Sequence, residues 1–398
     1  MSLDTKDVEN QFHSVLMNTY ARPRVSFQRG QGSYLFDVEG KKYLDFISGL
    51  AVTSLGHAHP EVSDAICLQA RTLSHVSNLY GNTLAPQVAA TLDRLIGGGT
   101  APGGGQVFFA NSGAEANECA LKLARRWAGA TRSGSTTRSE SASGESGRYR
   151  VISANGSFHG RTLATLAATG QPSKQLPFMP LPTGFIQVPY DDLNALDDAL
   201  DQDSVAAVIV EIIQGEGGVI LPSPNYLAGV GELCSKRNVL LIVDEIQTGL
   251  GRTGNWFAFQ GVGLQPDIVT VAKALGNGMP VGACWARSEI ARVMGPGDHG
   301  STFGGQPLAM AAVKATLATM EAQDVCGRAR SNGHYLKQGL EEIPGVTSVR
   351  GAGLLIACEL FDEVATQVAN AALDAGLLIN AVRPSSLRFA PSLLVSPK

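Results

Sequence analysis

The stretch "IVTVAKALGNG" (268–278) sets one amine, Lys273, at the end of an apolar run, with no acidic residue within five positions. An amine in apolar surroundings has its pKa lowered, and the neutral form is a nucleophile able to form a Schiff base with a carbonyl. The alternative is a lysine whose stem packs while its ammonium reaches water. The glycine-rich turn "ALGNGMPVG" lets other groups come close to that amine. In "VLLIVDE" (239–245), Asp244 follows five apolar residues. A carboxylate in such a dry place needs a positive partner to stay ionised. The protonated ring nitrogen of a bound heterocycle fits; a turn to cap, or an arginine such as Arg252, fits as well.

Two further apolar runs end in polar turns. "VFFAN" (107–111) runs into "SGAEAN", where Ser112 and Gly113 precede a helical spacing of Ala116, Ala120, Leu123, Ala124 and Trp127. Free N–H groups at a helix start suit a phosphate, and a serine there equally suits a plain cap. "VISAN" (151–155) runs into "GSFHGRT", which supplies Phe158, His159 and Arg161. An aromatic ring can lie over a planar ligand, and an arginine can hold a carboxylate bidentately. An anion nest, an aromatic face, a carboxylate and an amine in this order match the phosphate, ring face, ring nitrogen and aldehyde of pyridoxal 5′-phosphate.

Something must bring these residues together. The runs at 107–111, 151–155, 205–211, 239–245 and 268–273 lack polar alternation, as strands buried on both faces do. They predict a largely parallel sheet covered by helices, with ligands beyond the carboxyl ends of its strands. Residues 1–60 read as an arm followed by two half-buried strand patterns, 61–303 as a large domain, and 304–398 as a smaller α+β domain. The segment 130–147, "ATRSGSTTRSESASGESG", reads as a flexible surface insertion.

Composition excludes several function classes. The chain of 398 residues is 44% hydrophobic and 17% charged, and its formal charge of −4 is spread without long runs. That argues against a nucleic-acid surface or a polybasic membrane patch. The start, "MSLDTKDVENQF", has no apolar h-region, and nowhere do eighteen apolar residues run together, so neither secretion nor a membrane span is expected. Six cysteines show no CxxC and no zinc spacing, and read as reduced core residues of a cytosolic protein without a metal site. No GxGxxG follows a strand with an acidic residue about twenty positions on, which sets a nucleotide-binding dehydrogenase aside.

The ordered motifs "GSYLFDVEGKKYLDFISGLAVTSLGHAHPEV", "HVSNLYGN", "FFANSGAEANE", "SFHGRTLATLAATGQ", "IIQGEGGV", "LIVDEIQTGLGRTG", "HGSTFGGQPLA" and "LRFAP" run through nearly the whole chain. In them the sequence resembles the class III aminotransferases of the fold-type I pyridoxal-phosphate group, most closely the ornithine-type branch. The resemblance implies an α/β fold with a mostly parallel central sheet and a smaller α+β domain. It implies that Lys273 holds the cofactor's aldehyde and carries the proton, and that Asp244 faces the ring nitrogen. It places Gln247 near the phenolic oxygen, Phe158 on the ring, and Ser112, Gly113 and Ala114 at the phosphate. Thr302 is expected to reach the phosphate of a neighbouring subunit, which implies a homodimer, and Ser301 to lie near the substrate. Arg161 is expected to bind the carboxylate far from the reacting amine, Arg388 the α-carboxylate of 2-oxoglutarate, and Glu216 to neutralise Arg388 when an ω-amino donor is bound. The implied reaction passes the δ-amine of N-acetylornithine to 2-oxoglutarate; ornithine, succinylornithine, acylated lysine and 4-aminobutyrate are alternative donors. Ile212, Ala274 and Gln306 depart from the residues usual in the family. The chain ends ten residues past Arg388, which predicts a looser hold on that arginine.

Overall fold

A computed structural model describes residues 5–21, 23–97, 104–133, 147–200 and 204–397. A seven-stranded sheet runs in the order Gly105–Ala110, Gly282–Arg287, Ile268–Val271, Leu240–Asp244, Val205–Val210, Arg150–Ala154 and Phe185–Val188. All neighbours are parallel except Gly282–Arg287, which is antiparallel to both of its partners. The five strands expected from the apolar runs are all present, and their carboxyl ends share one edge.

The absence of polar alternation has a direct cause. Ala207, Ile209, Leu240, Ile242 and Ile268 pack with Cys119, Ala120 and Leu123 of the helix Gly113–Ser133. Their neighbours Val208, Val210, Leu241, Val243, Val269 and Val271 face the other way, in one core with Leu92, Leu95, Met310 and Leu317. Successive side chains on a strand point to opposite faces, so a sheet covered twice must be apolar at every position. Two strands were not anticipated: Phe185–Val188 is short, and "GACWAR" is rich in small residues and lies just past a glycine-rich turn.

Two four-stranded sheets complete the fold. One orders Phe27–Gln31, Tyr34–Asp37 and Lys42–Asp45, three strands where two patterns were read, and closes with Leu377–Leu378 parallel to the third. The other is antiparallel: Val346–Ala352, Leu355–Leu360, Ser386–Phe389 and Asn380–Arg383. Arg388 stands on its third strand.

The fully buried Arg252 ties this part to the body. It does not pair with Asp244; it donates to the carbonyls of Leu354 (3.2 Å) and Pro391 (2.5 Å) and to Ser54 Oγ (2.9 Å). Past Arg388, Ala390 N–H donates to Phe46 O (2.8 Å) and Leu393 N–H to Ser54 O (2.7 Å).

Of the insertion expected at 130–147, residues 130–133 finish the helix Gly113–Ser133, and 134–146 lie outside the described residues. All six cysteines are free thiols, and Cys67 is exposed rather than in the core, because it stands on the outer face of the helix Pro60–Thr72. Among the described residues no helix is long and apolar enough to cross a membrane.

Candidate active site

The strand ends surround a cavity of about 560 Å³. It is lined by Asn111 to Ala114, by Phe158 to Arg161, by Glu211 and Glu216, by Asp244 and Gln247, and by Lys273. Four of the expected strands thus deliver one expected group each, and the fifth delivers the carboxylates that follow Val210.

The helix Gly113–Ser133 begins at this cavity, and its start satisfies both readings of the sequence. Ser112 Oγ accepts from Glu115 N–H (3.2 Å), and the Glu115 carboxylate accepts in return from Asn111 N–H (2.5 Å), a reciprocal cap. The N–H groups of Gly113 and Ala114 keep no partner among the described residues, as the first turn of a helix requires. A Cβ at Gly113 would stand 2.7 Å from Ile246 Cδ1, so a side chain there would have to push the isoleucine aside. An anion can therefore approach bare backbone.

Asp244 is buried and held from three sides. Its Oδ2 accepts from Asn117 Nδ2 (2.8 Å) and lies 2.9 Å from His159 Nδ1, while Oδ1 accepts from Ile246 N–H (3.1 Å). Asn117 also donates to the His159 carbonyl (2.7 Å) and accepts from Thr270 Oγ (2.7 Å). These bonds fix the carboxylate's plane while it still borders the cavity.

Lys273 has no hydrogen-bond or ion-pair partner among the described residues, and its φ of 40° lies in the left-handed region. Such a backbone in a non-glycine residue is strained, and the surrounding turn imposes it. Burial, against the pull of Asp244 and helped by the Arg388 charge, lowers its amine pKa to about 8. The amine of the opening stretch is therefore poised, not solvated. Glu211, beside it, is pushed up to about 7 by burial although the N–H groups of Phe158 (3.1 Å) and Gly215 (3.4 Å) donate to it.

The two arginines differ. Arg161 is exposed, has no carboxylate partner among the described residues, and lies 5.6 Å from the Phe158 ring centre. Arg388 is buried and masked: it stands 3.5 Å from the Glu216 carboxylate and donates to Gly215 O (3.0 Å), Gln247 Oε1 (3.3 Å) and Asn380 Oδ1 (2.8 Å). Gln247 and Glu216 separate it from the open cavity. Burial raises the Glu216 pKa, but the Arg388 and Lys174 charges outweigh it and hold the carboxyl below its usual range.

Ser301 and Thr302 do not join the Lys273 cavity of their own chain. They line a neighbouring cavity with Phe108, Glu118, Lys122 and His299, where Asn111 Nδ2 donates to Ser301 Oγ (3.1 Å). The reading of the sequence gave no role to Asn117, Glu211 or Tyr20, which borders the cavity, and left His159 without one. Asn117, one turn past Gly113, is fully buried, and the sequence offers only a faint sign of its role: asparagine is a poor residue for a helix interior.

The model of the family "Aminotransferase class-III" matches residues 16–398. The chain belongs to the class III aminotransferases. It is 46% identical over 394 residues to the acetylornithine aminotransferase of Gloeobacter violaceus, covering 98% of this chain and 94% of that one. To the acetylornithine aminotransferase of Corynebacterium efficiens it is 42% identical over 395 residues, covering 98% and 93%. Among solved structures it superposes on the ornithine aminotransferase of Toxoplasma gondii with a TM-score of 0.90 at 35% identity, covering 99% of this chain and 92% of that one. As a class III aminotransferase it is a transaminase that uses pyridoxal 5′-phosphate. The residues present fit that group: unpartnered helix-start N–H groups, a fixed carboxylate and an unpartnered amine border one cavity.

Proposed function

We propose that this aminotransferase passes the δ-amino group of N2-acetylornithine to 2-oxoglutarate, giving N-acetylglutamate 5-semialdehyde and glutamate, in arginine biosynthesis in the cytoplasm. One observation carries the reading: Arg161 lines the cavity of Lys273 without a carboxylate partner among the described residues, while Arg388 stands behind Glu216 and Gln247, masked. An ω-amino donor brings one carboxylate, which Arg161 takes. 2-Oxoglutarate brings two, and its α-carboxylate needs Arg388 released from Glu216. The acetylornithine aminotransferase names borne by relatives 42–46% identical over nearly the full chain support the donor.

Bound pyridoxal phosphate supplies the electron sink that lets a proton leave one carbon and return to another. Lys273 would hold the cofactor's aldehyde carbon in the resting enzyme and, once the substrate's amine had taken that place, its freed nitrogen would carry the proton. Asp244, oriented by His159 and Asn117, would keep a proton on the ring nitrogen. Phe158 would cover the ring face, Gln247 would lie near the phenolic oxygen, and Ser112 with the N–H groups of Gly113 and Ala114 would bind the phosphate. Thr302 serves the phosphate of a partner subunit in a homodimer, and Ser301 lies near the substrate there. Exposed apolar residues support a dimer at that edge: Leu79, Tyr80 and Phe303 are 86%, 74% and 65% exposed, and Asn78 Nδ2 donates to Ser301 O (2.9 Å). In the division into an N-terminal segment 1–60, a large domain 61–303 and a small domain 304–398, the pairing of Leu377–Leu378 with Lys42–Asp45 supports the packing of the N-terminal segment with the small domain, whereas Met310 and Leu317 share the core of Leu92 and Leu95 and so side with the large domain.

The test is single-turnover loss of the cofactor's absorbance band with N-acetylornithine, ornithine, succinylornithine and 4-aminobutyrate side by side. N-acetylornithine is expected to react fastest. A far faster reaction with 4-aminobutyrate refutes the donor and leaves the class standing.

A further inference from the structure

The carboxylate of Glu216 touches two cations, not one. Its Oε2 lies 3.5 Å from Arg388, and its Oε1 accepts from Lys174 Nζ at 3.4 Å. Lys174 belongs to the short helix Pro172–Gln175, which follows the turn bearing Arg161, whereas Arg388 comes from the far sheet. Glu216 is therefore the joint between two cations on separate elements.

The loop beneath Glu216 cannot itself move far. Gln214 and Ile220 exchange backbone hydrogen bonds (3.0 Å each), and Gln214 Nε2 donates to Asn155 O (2.9 Å). Arg350 donates to Gly218 O (2.7 Å) and Val219 O (3.0 Å), and Arg388 holds Gly215 O (3.0 Å). A change of partner at Glu216 is thus a rotation of its side chain. Lys174 is prepared to receive it. Gln171 Oε1 accepts from its ammonium (2.5 Å), and Gln171 is anchored in turn to the carbonyls of Gly156 (3.3 Å) and Ser157 (3.1 Å). The Phe158 ring lies 5.0 Å from the same ammonium, a favourable cation–π distance.

We propose that Lys174 is the second seat of Glu216: a positioning residue that takes the carboxylate when a keto acid claims Arg388. The inference rests on reading Arg388 as the seat of the acceptor's α-carboxylate. Two carboxylates cannot share one guanidinium edge without repulsion, so the displaced group needs a destination. With Lys174 in place, Glu216 releases Arg388 while keeping an ion pair. Without it, Glu216 has only Arg388 or water, and the mask tightens. Lys174 thereby sets the balance between the one-carboxylate donor and the two-carboxylate acceptor.

Steady-state and single-turnover kinetics of Lys174→Met, Lys174→Arg, Glu216→Gln and the Lys174→Met/Glu216→Gln double variant test this in the holoenzyme. Loss of one partly exposed ion pair sets the scale: Lys174→Met raises KM for 2-oxoglutarate about fivefold, in KM rather than kcat. KM for the amino donor holds or falls, Lys174→Arg restores the acceptor, and Lys174→Met has no further effect once Glu216 is glutamine. Equal rises in both KM values, no change in either, or a rise that persists in the Glu216→Gln background overturns the role of Lys174. If Glu216→Gln alone leaves both KM values untouched, the masking of Arg388 falls first, and this inference with it.

Discussion

Asp244 pairs in register with Thr270, three residues before Lys273, so the carboxylate and the amine reach the cavity from neighbouring strands. The amine is dry because its surroundings are, and burial is the largest cause of its lowered pKa. Lys273→Ala is expected to abolish transamination and the absorbance band of the covalently held cofactor, read by spectrum and by borohydride trapping with peptide mapping. Capture of the cofactor needs the neutral amine, so the rate of uptake by the apoprotein rises with pH through about 8 and then levels. A solvated lysine would keep rising toward 10.5. Arg161→Ala should slow both half-reactions, since both substrates present a distal carboxylate, whereas Arg388→Ala should harm mainly the 2-oxoglutarate half. Equal loss in both halves for Arg388→Ala counts against masking by Glu216. Lys273, Asp244, Phe158 and Arg161 were legible because each ends or follows an apolar run. His159 and Asn117 were not, because their work is to hold Asp244 across 85 and 127 positions of chain.

Strands and helices act here as rulers. A strand buried on both faces presents a polar side chain only where it leaves the sheet, so the end of each apolar run is also a place at the shared edge. That logic recovered the five parallel strands and missed "GACWAR", whose alanines and glycine carry little strand signal but fill a slot between Gly105–Ala110 and Ile268–Val271. Arg252 belongs to this scale. Its guanidinium crosses from the loop after Asp244 to the segments bearing Leu354 and Pro391, so it fastens the sheet that carries Arg388. Arg252→Met leaves these acceptors buried and unpaired and is expected to cost about 3 kcal/mol in urea unfolding, with a parallel rise in KM for 2-oxoglutarate. A stability change below about 0.5 kcal/mol would show that the arginine is not a fastener.

For the whole molecule, the position of Thr302 decides the next test. It lines a cavity adjoining the Lys273 site rather than the site itself. In a homodimer, Thr302→Ala lowers the cofactor affinity of the other subunit. Hybrids of a Thr302→Ala chain with a Lys273→Ala chain then contain one intact site and recover activity that neither parent dimer shows at limiting cofactor. No recovery on mixing would place Thr302 outside the partner's site. Stability also depends on pH through Glu245, which is buried, accepts from Thr248 Oγ (2.5 Å) and Phe259 N–H (2.8 Å), and is pushed by burial from 4.5 to about 7. A raised carboxyl pKa means that the folded state binds more protons, so this contribution is full below 4.5 and is lost as pH rises through about 7. Glu245→Gln should flatten the fall in apoprotein stability between these pH values by up to about 3 kcal/mol, measured by urea titration across pH.

The sequence by itself determined the kinds of groups and the edge where they gather, because local apolar patterning dictates which strands are doubly covered and where each one ends. It also carried the family, through motifs spread along the chain. Only the tertiary structure decided which groups touch. The pairing of Glu216 with Arg388 was already implied by the family resemblance, but the Asp244–His159–Asn117 cluster, the free state of Arg161 and the placing of Glu216 against Lys174 as well all depend on contacts between distant segments. Hydrogen bonds and ion pairs are set by ångström-scale distances that composition and periodicity do not encode. Packing of the three sheets fixes them.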